Sequence, residues 1–139
     1  MMEPSDYKGL DVVWLAVDSR DHVAAFATAG EGSIPATALA FVEDAEEMIR
    51  ALPMISNATL KGGLGDTIDW VVLAERGFFA YDWSDVHRPQ HKLMGYELMA
   101  RPNFPVCFRH LPPNVAAMVR ATKIENIAFG TRIIPPTWV

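Results

Sequence analysis

Two apolar runs near the start of the chain, Asp11-Val12-Val13-Trp14-Leu15-Ala16-Val17-Asp18 and His22-Val23-Ala24-Ala25-Phe26-Ala27-Thr28, are separated only by Ser19-Arg20-Asp21. They read as a β-hairpin, closed by Ala29-Gly30-Glu31-Gly32-Ser33-Ile34-Pro35. Side chains alternate between the two faces of a strand. Here both faces are apolar, with Val12, Trp14 and Ala16 on one and Val13, Leu15 and Val17 on the other. A hairpin of this kind has to be covered on both sides, which makes its strands inner strands of a sheet.

The rest of the pattern supplies the cover. From Ala36 to Ala51, Leu39, Val42, Ala45 and Ile49 recur at helical spacing, supported by Phe41 and Met48. Glu43, Asp44, Glu46 and Glu47 fall largely outside that stripe, which predicts an amphipathic helix with an acidic outer face. Pro53 limits it, and Ser56–Asp66, with Gly62, Gly63 and Gly65, reads as a loop. Thr67–Ala74 and Phe78–Asp82 flank Glu75-Arg76-Gly77 and read as a second hairpin. Trp83–Lys92 is a polar loop, and Gly95–Arg101 alternates as a strand with Tyr96, Leu98 and Ala100 inward. Val106-Cys107-Phe108 reads as a short edge strand. Pro112-Pro113 opens a helix to Thr122 with Val115, Met118, Val119 and Thr122 inside, and Ile127–Ile133 is the last strand. The expected fold is a single α+β domain over residues 1–139, a mostly antiparallel β-sheet of about five to seven strands with two helices packed on it.

Half of the 139 residues are apolar, enough for one core without disulfides or a structural metal. Seventeen acidic against twelve basic residues give a net charge of −5. That balance repels phosphate backbones, so no nucleic acid is expected as a partner, and it favours a basic one. Cys107 is the single cysteine, so no intrachain disulfide forms. No apolar stretch approaches the roughly 20 residues that span a bilayer, and the first residues lack the regions of a signal peptide. The expectation is a cytoplasmic protein with no membrane contact.

The catalytic motifs are missing. Gly30-Glu31-Gly32 precedes a helix, as phosphate-binding turns do, but lacks their spacing and carries a carboxylate, so it reads as a chain-reversing turn. Lys61–Asp66 is glycine-rich without a following helix. Asp82, Asp85, His87 and His91 are ligand-type side chains within a short stretch, yet they fall on a loop, where partner recognition is the better reading than a metal site. His22 and His110 have no sequence-local acid or nucleophile. Val106 and Phe108 give Cys107 an apolar setting, that of a buried small hydrophobe rather than a nucleophile. Ser5, Ser19, Ser33, Ser56 and Ser84 lie in turns or loops outside any nucleophile elbow. No catalytic residue, metal ligand or cofactor is assigned.

Most aromatic residues fall at core positions. Trp83, rimmed by Asp82 and Ser84, reads either as an anchor for a basic surface or as a cap on the sheet. Ala29–Pro35, Arg76-Gly77-Phe78-Phe79-Ala80-Tyr81-Asp82, and Tyr96 leading through Pro102 and Pro105 to Leu111-Pro112-Pro113 together resemble small uncharacterised bacterial proteins, some of which look like the immunity partners of polymorphic toxins. The resemblance covers most of the chain and implies an acidic, compact, non-catalytic protein that blocks a partner by covering its functional surface. It carries over no functional residue.

The expected function is a protein-binding domain that meets a basic partner through Glu43, Glu46, Glu47, Asp82, Trp83, Asp85 and His87. The alternative is a small-molecule binder or enzyme with a pocket between sheet and helices and Glu31, Asp82 or His87 as its polar groups. A homo-oligomer is a third reading, with the apolar segment Ile133–Val139 at its interface.

Overall fold

The computed structural model describes residues 3–60 and 68–139. Strands β1 (Val13–Asp18) and β2 (Val23–Ala27) form the expected hairpin, with Trp14 opposite Phe26 and Leu15 opposite Ala25. All of β1 is buried, as is β2 up to Phe26. The turn between them is held by the Asp18 carboxylate, which accepts from the Arg20 and His22 N–H groups at 2.8 and 3.0 Å.

Five more strands complete the sheet among the described residues: β3 (Ala58–Leu60), β4 (Phe79–Asp82), β5 (Tyr96–Pro102), β6 (Lys123–Ile124) and β7 (Ile133–Ile134). Their order is β3-β5-β4-β2-β1-β6, and β7 also pairs with β5. The sheet is mixed and not mostly antiparallel, because β2 runs parallel to β4 and β1 parallel to β6. Parallel neighbours cannot be joined by a tight turn and need a crossover.

That requirement explains why the second hairpin is not there. Ile68–Glu75 is a helix, α2, lying within the β2-to-β4 crossover, and not a strand. The Gly77 N–H donates to the Ala74 carbonyl at 2.9 Å and the Phe78 N–H to the Leu73 carbonyl at 3.2 Å, with Gly77 at φ 91°. This is the glycine cap that closes a helix. A Cβ on Gly77 would also come within 2.7 Å of Val106. Thr67 and the glycine-rich Lys61–Asp66 stretch lie outside the described residues.

The acidic helix is broken too. Ala36–Phe41 is a 3-10 turn, and only Ala45–Arg50 is α-helical, as α1. Ala38 and Val42 pack on one face of the sheet while Ala45 and Ile49 pack on the other, so the segment wraps from face to face. A straight helix would keep Val42 and Ala45 on one side. Helix α3 (Pro113–Arg120) starts at a proline and buries Val115, Met118 and Val119, with Thr122 buried beyond its end. Three α-helices, and not two, thus pack on the sheet among the described residues.

Three smaller expectations also change. Val106–Phe108 forms no edge strand; a single bridge pairs Cys107 with His22, and a 3-10 turn begins at Phe108. Ile127–Ile133 is not a continuous strand, because the Phe129 N–H is drawn to the Asp18 carboxylate at 2.8 Å and β7 begins only at Ile133. Tyr96 and Ala100 do not share a face, since the β4–β5 register shifts at Ala80/Tyr81.

The two faces differ in character. Val13, Leu15, Val17 and Ala25 meet Ile49, Leu73, Val115 and Val119 of the helices in an aliphatic layer. On the other face Trp14 stacks on Phe26 at 4.1 Å, Phe26 on Tyr81 at 5.1 Å, and Tyr96 stands edge-on to Trp14. Tyr7, Ile34, Ala38, Phe129 and Ile134 cover this aromatic layer. The Trp138 indole N–H donates to Ser33 Oγ at 3.1 Å and its ring meets Trp14, so the C-terminal segment folds onto its own chain.

Candidate functional site

At the end of the sheet where β1 begins and β4 finishes, Asp11, Val13, Ala27 and Asp82 meet Glu46 of α1 and Asp69, Trp70 and Leu73 of α2 around a cleft of about 120 Å³. Val13, Ala27, Leu73 and Trp70 belong to or border the aliphatic layer and form apolar walls. Four carboxylates line it. Asp11 and Asp69 are exposed and Glu46 is half-buried, so they form the rim. Arg50 Nη2 spans Glu46 and Asp69 at 2.9 and 2.6 Å and fixes that side. Asp11 accepts from the Ala29 N–H at 2.9 Å.

Asp82 forms the floor. Only 6% of it is exposed, and among the described residues no donor reaches its carboxylate. Every side-chain N or O atom sealed from solvent does have a partner among those residues. The Asp82 carboxylate therefore keeps contact with solvent, and Asp82 lines the cleft. Burial raises its pKa from 3.8 to about 7, helped by the negative charges of Asp11 and Glu97.

Of the residues singled out in the sequence, Glu46 and Asp82 share this cleft. Glu43 is exposed and borders a separate, mainly apolar groove of about 550 Å³ with Glu3, Pro4, Tyr7, Ala36, Leu39 and Ala40. Glu47 is exposed on α1. Trp83 is not a surface anchor: it is 9% exposed and packs edge-on against Tyr96 at 5.0 Å, because the alternation of β4 and its neighbours draws it into the aromatic layer.

Asp85 is also buried, and its two oxygens accept from the Leu93 and Met94 N–H groups at 2.6 and 2.8 Å. It ties the 85–94 loop shut and is spent on that task. Glu97 beneath the loop accepts from Ser84 Oγ at 2.7 Å and from Arg88 Nη2 at 3.2 Å. His87 and His91 are exposed. Asp82, Asp85 and the two histidines thus sit in different surroundings, and among the described residues no three His, Cys, Asp or Glu side chains are arranged to hold a metal ion.

The other candidates resolve similarly. The amides of the Ala29–Gly32 turn are used internally: Ala29 donates to Asp11, Gly30 to Thr28 Oγ1, and Glu31 and Gly32 to the Thr28 carbonyl. No anion-binding nest is left. Cys107 is half-buried and not fully buried; its Sγ accepts from Arg109 Nε at 3.4 Å, and no hydrogen bond joins it to the His22 ring. Glu31 borders another hollow with Lys8, Trp83, Asp85, Lys92 and Met94, which Asp82 does not line.

Sequence reasoning missed Asp11 and Asp69, whose roles appear only once the topology brings four distant segments together. A lone carboxylate closing the apolar strand Phe79-Ala80-Tyr81-Asp82 is the one local signal that marks the site. Among the described residues no helix is long and apolar enough to cross a membrane. No protein-family model, no curated protein and no solved structure matches this chain.

Proposed function

We propose that this is a non-catalytic protein-binding domain that engages a basic partner through the acidic segment 43–47 that leads into α1. The observation that carries the reading is the position of the 43–47 segment. Glu43 borders the apolar groove and Glu46 the carboxylate cleft, with Glu47 exposed beside Glu46 in the sequence. A surface with apolar ground and an acidic border matches a protein face bearing both apolar and basic side chains. Covering a basic functional surface in the manner of an immunity protein, in the cytoplasm, is one form of this function. The small-molecule alternative has less support, because Glu31, Asp82 and His87 do not gather in one cavity.

The test is capture from the native host on the tagged full chain, beside a Glu43→Lys/Glu46→Lys/Glu47→Lys variant, at low and then moderate salt. A basic protein held by the parent, lost by the variant and released as salt rises supports the reading. The same proteins on both chains at both salts would overturn it.

A further inference from the structure

The cleft floor poses a separate question, because a buried carboxylate without a donor is costly to keep. Asp18, Asp85 and Glu97, the other buried acids among the described residues, all accept hydrogen bonds from N–H or O–H groups. Asp82 alone among them accepts no hydrogen bond from the described residues, and it lines the cleft. The space is small: about 120 Å³, where pockets for drug-sized ligands run to about 300–1,000 Å³. It admits the end of one extended chain.

We propose that the cleft takes an alkylammonium group, the end of a lysine side chain or of a small primary amine, with Asp82 as its ion-pair partner. The assignment of the lysine to the basic partner rests on the function proposed above; the cleft chemistry does not. Val13, Ala27, Trp70 and Leu73 line the cleft and give the methylene stem an apolar wall. Asp11, Glu46 and Asp69 at the rim draw a positive charge inward.

The carboxylates come from four separate segments, a disposition that suits a compact ammonium with three donors; a planar guanidinium is matched best by one carboxylate face. Arg50, the guanidinium already present, stays at the rim between Glu46 and Asp69 and makes no bond to Asp82.

The experiment titrates the ¹⁵N-labelled full chain with n-butylammonium, with N-acetyl-lysine amide, and with neutral 1-butanol. It follows the Trp70 indole N–H and the Ala27, Leu73 and Asp82 amides. Saturable shifts with both cations, none with butanol, and at least a tenfold loss of affinity in Asp82→Asn are expected. The Asn side chain is nearly isosteric, and the amide spectrum reports directly that the variant is folded; Asp69→Asn serves as a second, rim variant with a smaller loss.

Binding of butylammonium but not of the lysine derivative would support the cleft chemistry while contradicting a partner lysine as its source. No binding of either cation, or equal binding by Asp82→Asn, would overturn the proposal. If the cleft fails but charge reversal of α1 still abolishes capture of a basic protein, the function stands without this site.

Discussion

Asp18 and Asp82 occupy matching places at opposite ends of the sheet. Each closes an apolar strand, β1 or β4, and each is buried, at 0% and 6% exposure. Asp18 receives backbone N–H groups from Arg20, His22 and Phe129, so one carboxylate fixes the hairpin turn and anchors a segment far along the chain. Asp82 receives none and looks into a cleft rimmed by more negative charge. A buried acid bonded by the backbone is architecture; one with no donor from the protein, charged against desolvation and open to a cleft, is placed to take a donor from outside. The contrast separates the end of the molecule that holds the fold together from the end that is available to bind.

The comparison breaks most readily at Asp18. Asp18→Ala leaves three backbone N–H groups without their acceptor, and urea denaturation should show a loss of about 4 kcal/mol. A loss below about 1 kcal/mol would mean that these bonds do not organise the hairpin.

Asp82→Asn should act in the opposite direction. The folded carboxyl titrates near pH 7 and the unfolded one near 3.8, so the folded state holds the extra proton between those values. Stability therefore falls as pH rises through that window and is level above it. Asn removes the slope: the variant gains nothing below pH 4 and on the order of 3 kcal/mol above pH 7, measured as denaturation midpoints across pH. A destabilised variant at pH 8 would show that Asp82 is satisfied after all.

Asp85→Ala should cost about 2 kcal/mol and speed hydrogen exchange at the Leu93 and Met94 amides, since both lose their acceptor. Glu43→Lys, on an exposed side chain, should change stability by less than about 0.5 kcal/mol while weakening capture of a basic partner. A large stability change there would assign the acidic segment to folding instead of recognition.

How far the sequence reveals this arrangement depends on which residues are asked. The first hairpin is legible because both faces of Asp11–Thr28 are apolar, a pattern with few solutions. Ile68–Ala74 is not, because a short apolar run rich in branched side chains fits strand or helix, and a following glycine serves a hairpin turn as well as a helix cap. The 36–51 stripe hides its own break, since periodicity registers spacing and not the passage of Val42 and Ala45 to different faces of the sheet.

Asp82 and Glu46 are legible as acidic candidates, but their meeting with Asp11 and Asp69 depends on the β2-to-β4 crossover that the hairpin reading replaced. Trp83 and Asp85 mislead for a related reason. Polar neighbours place them on a loop, and only the three-dimensional contacts with Tyr96, Leu93 and Met94 show them turned inward.

The most direct measurement is the titration of the Asp82 carboxyl by carbon-detected NMR, with and without saturating n-butylammonium. Asp11, Glu46, Asp69 and Glu97 surround it with negative charge and Arg50 supplies the nearby positive charge at the rim. The account predicts a midpoint near pH 7 that falls by at least one pH unit when the ammonium binds, because a cation favours the ionised acid. A midpoint near the ordinary aspartate value of about 3.9, unmoved by the amine, would contradict it.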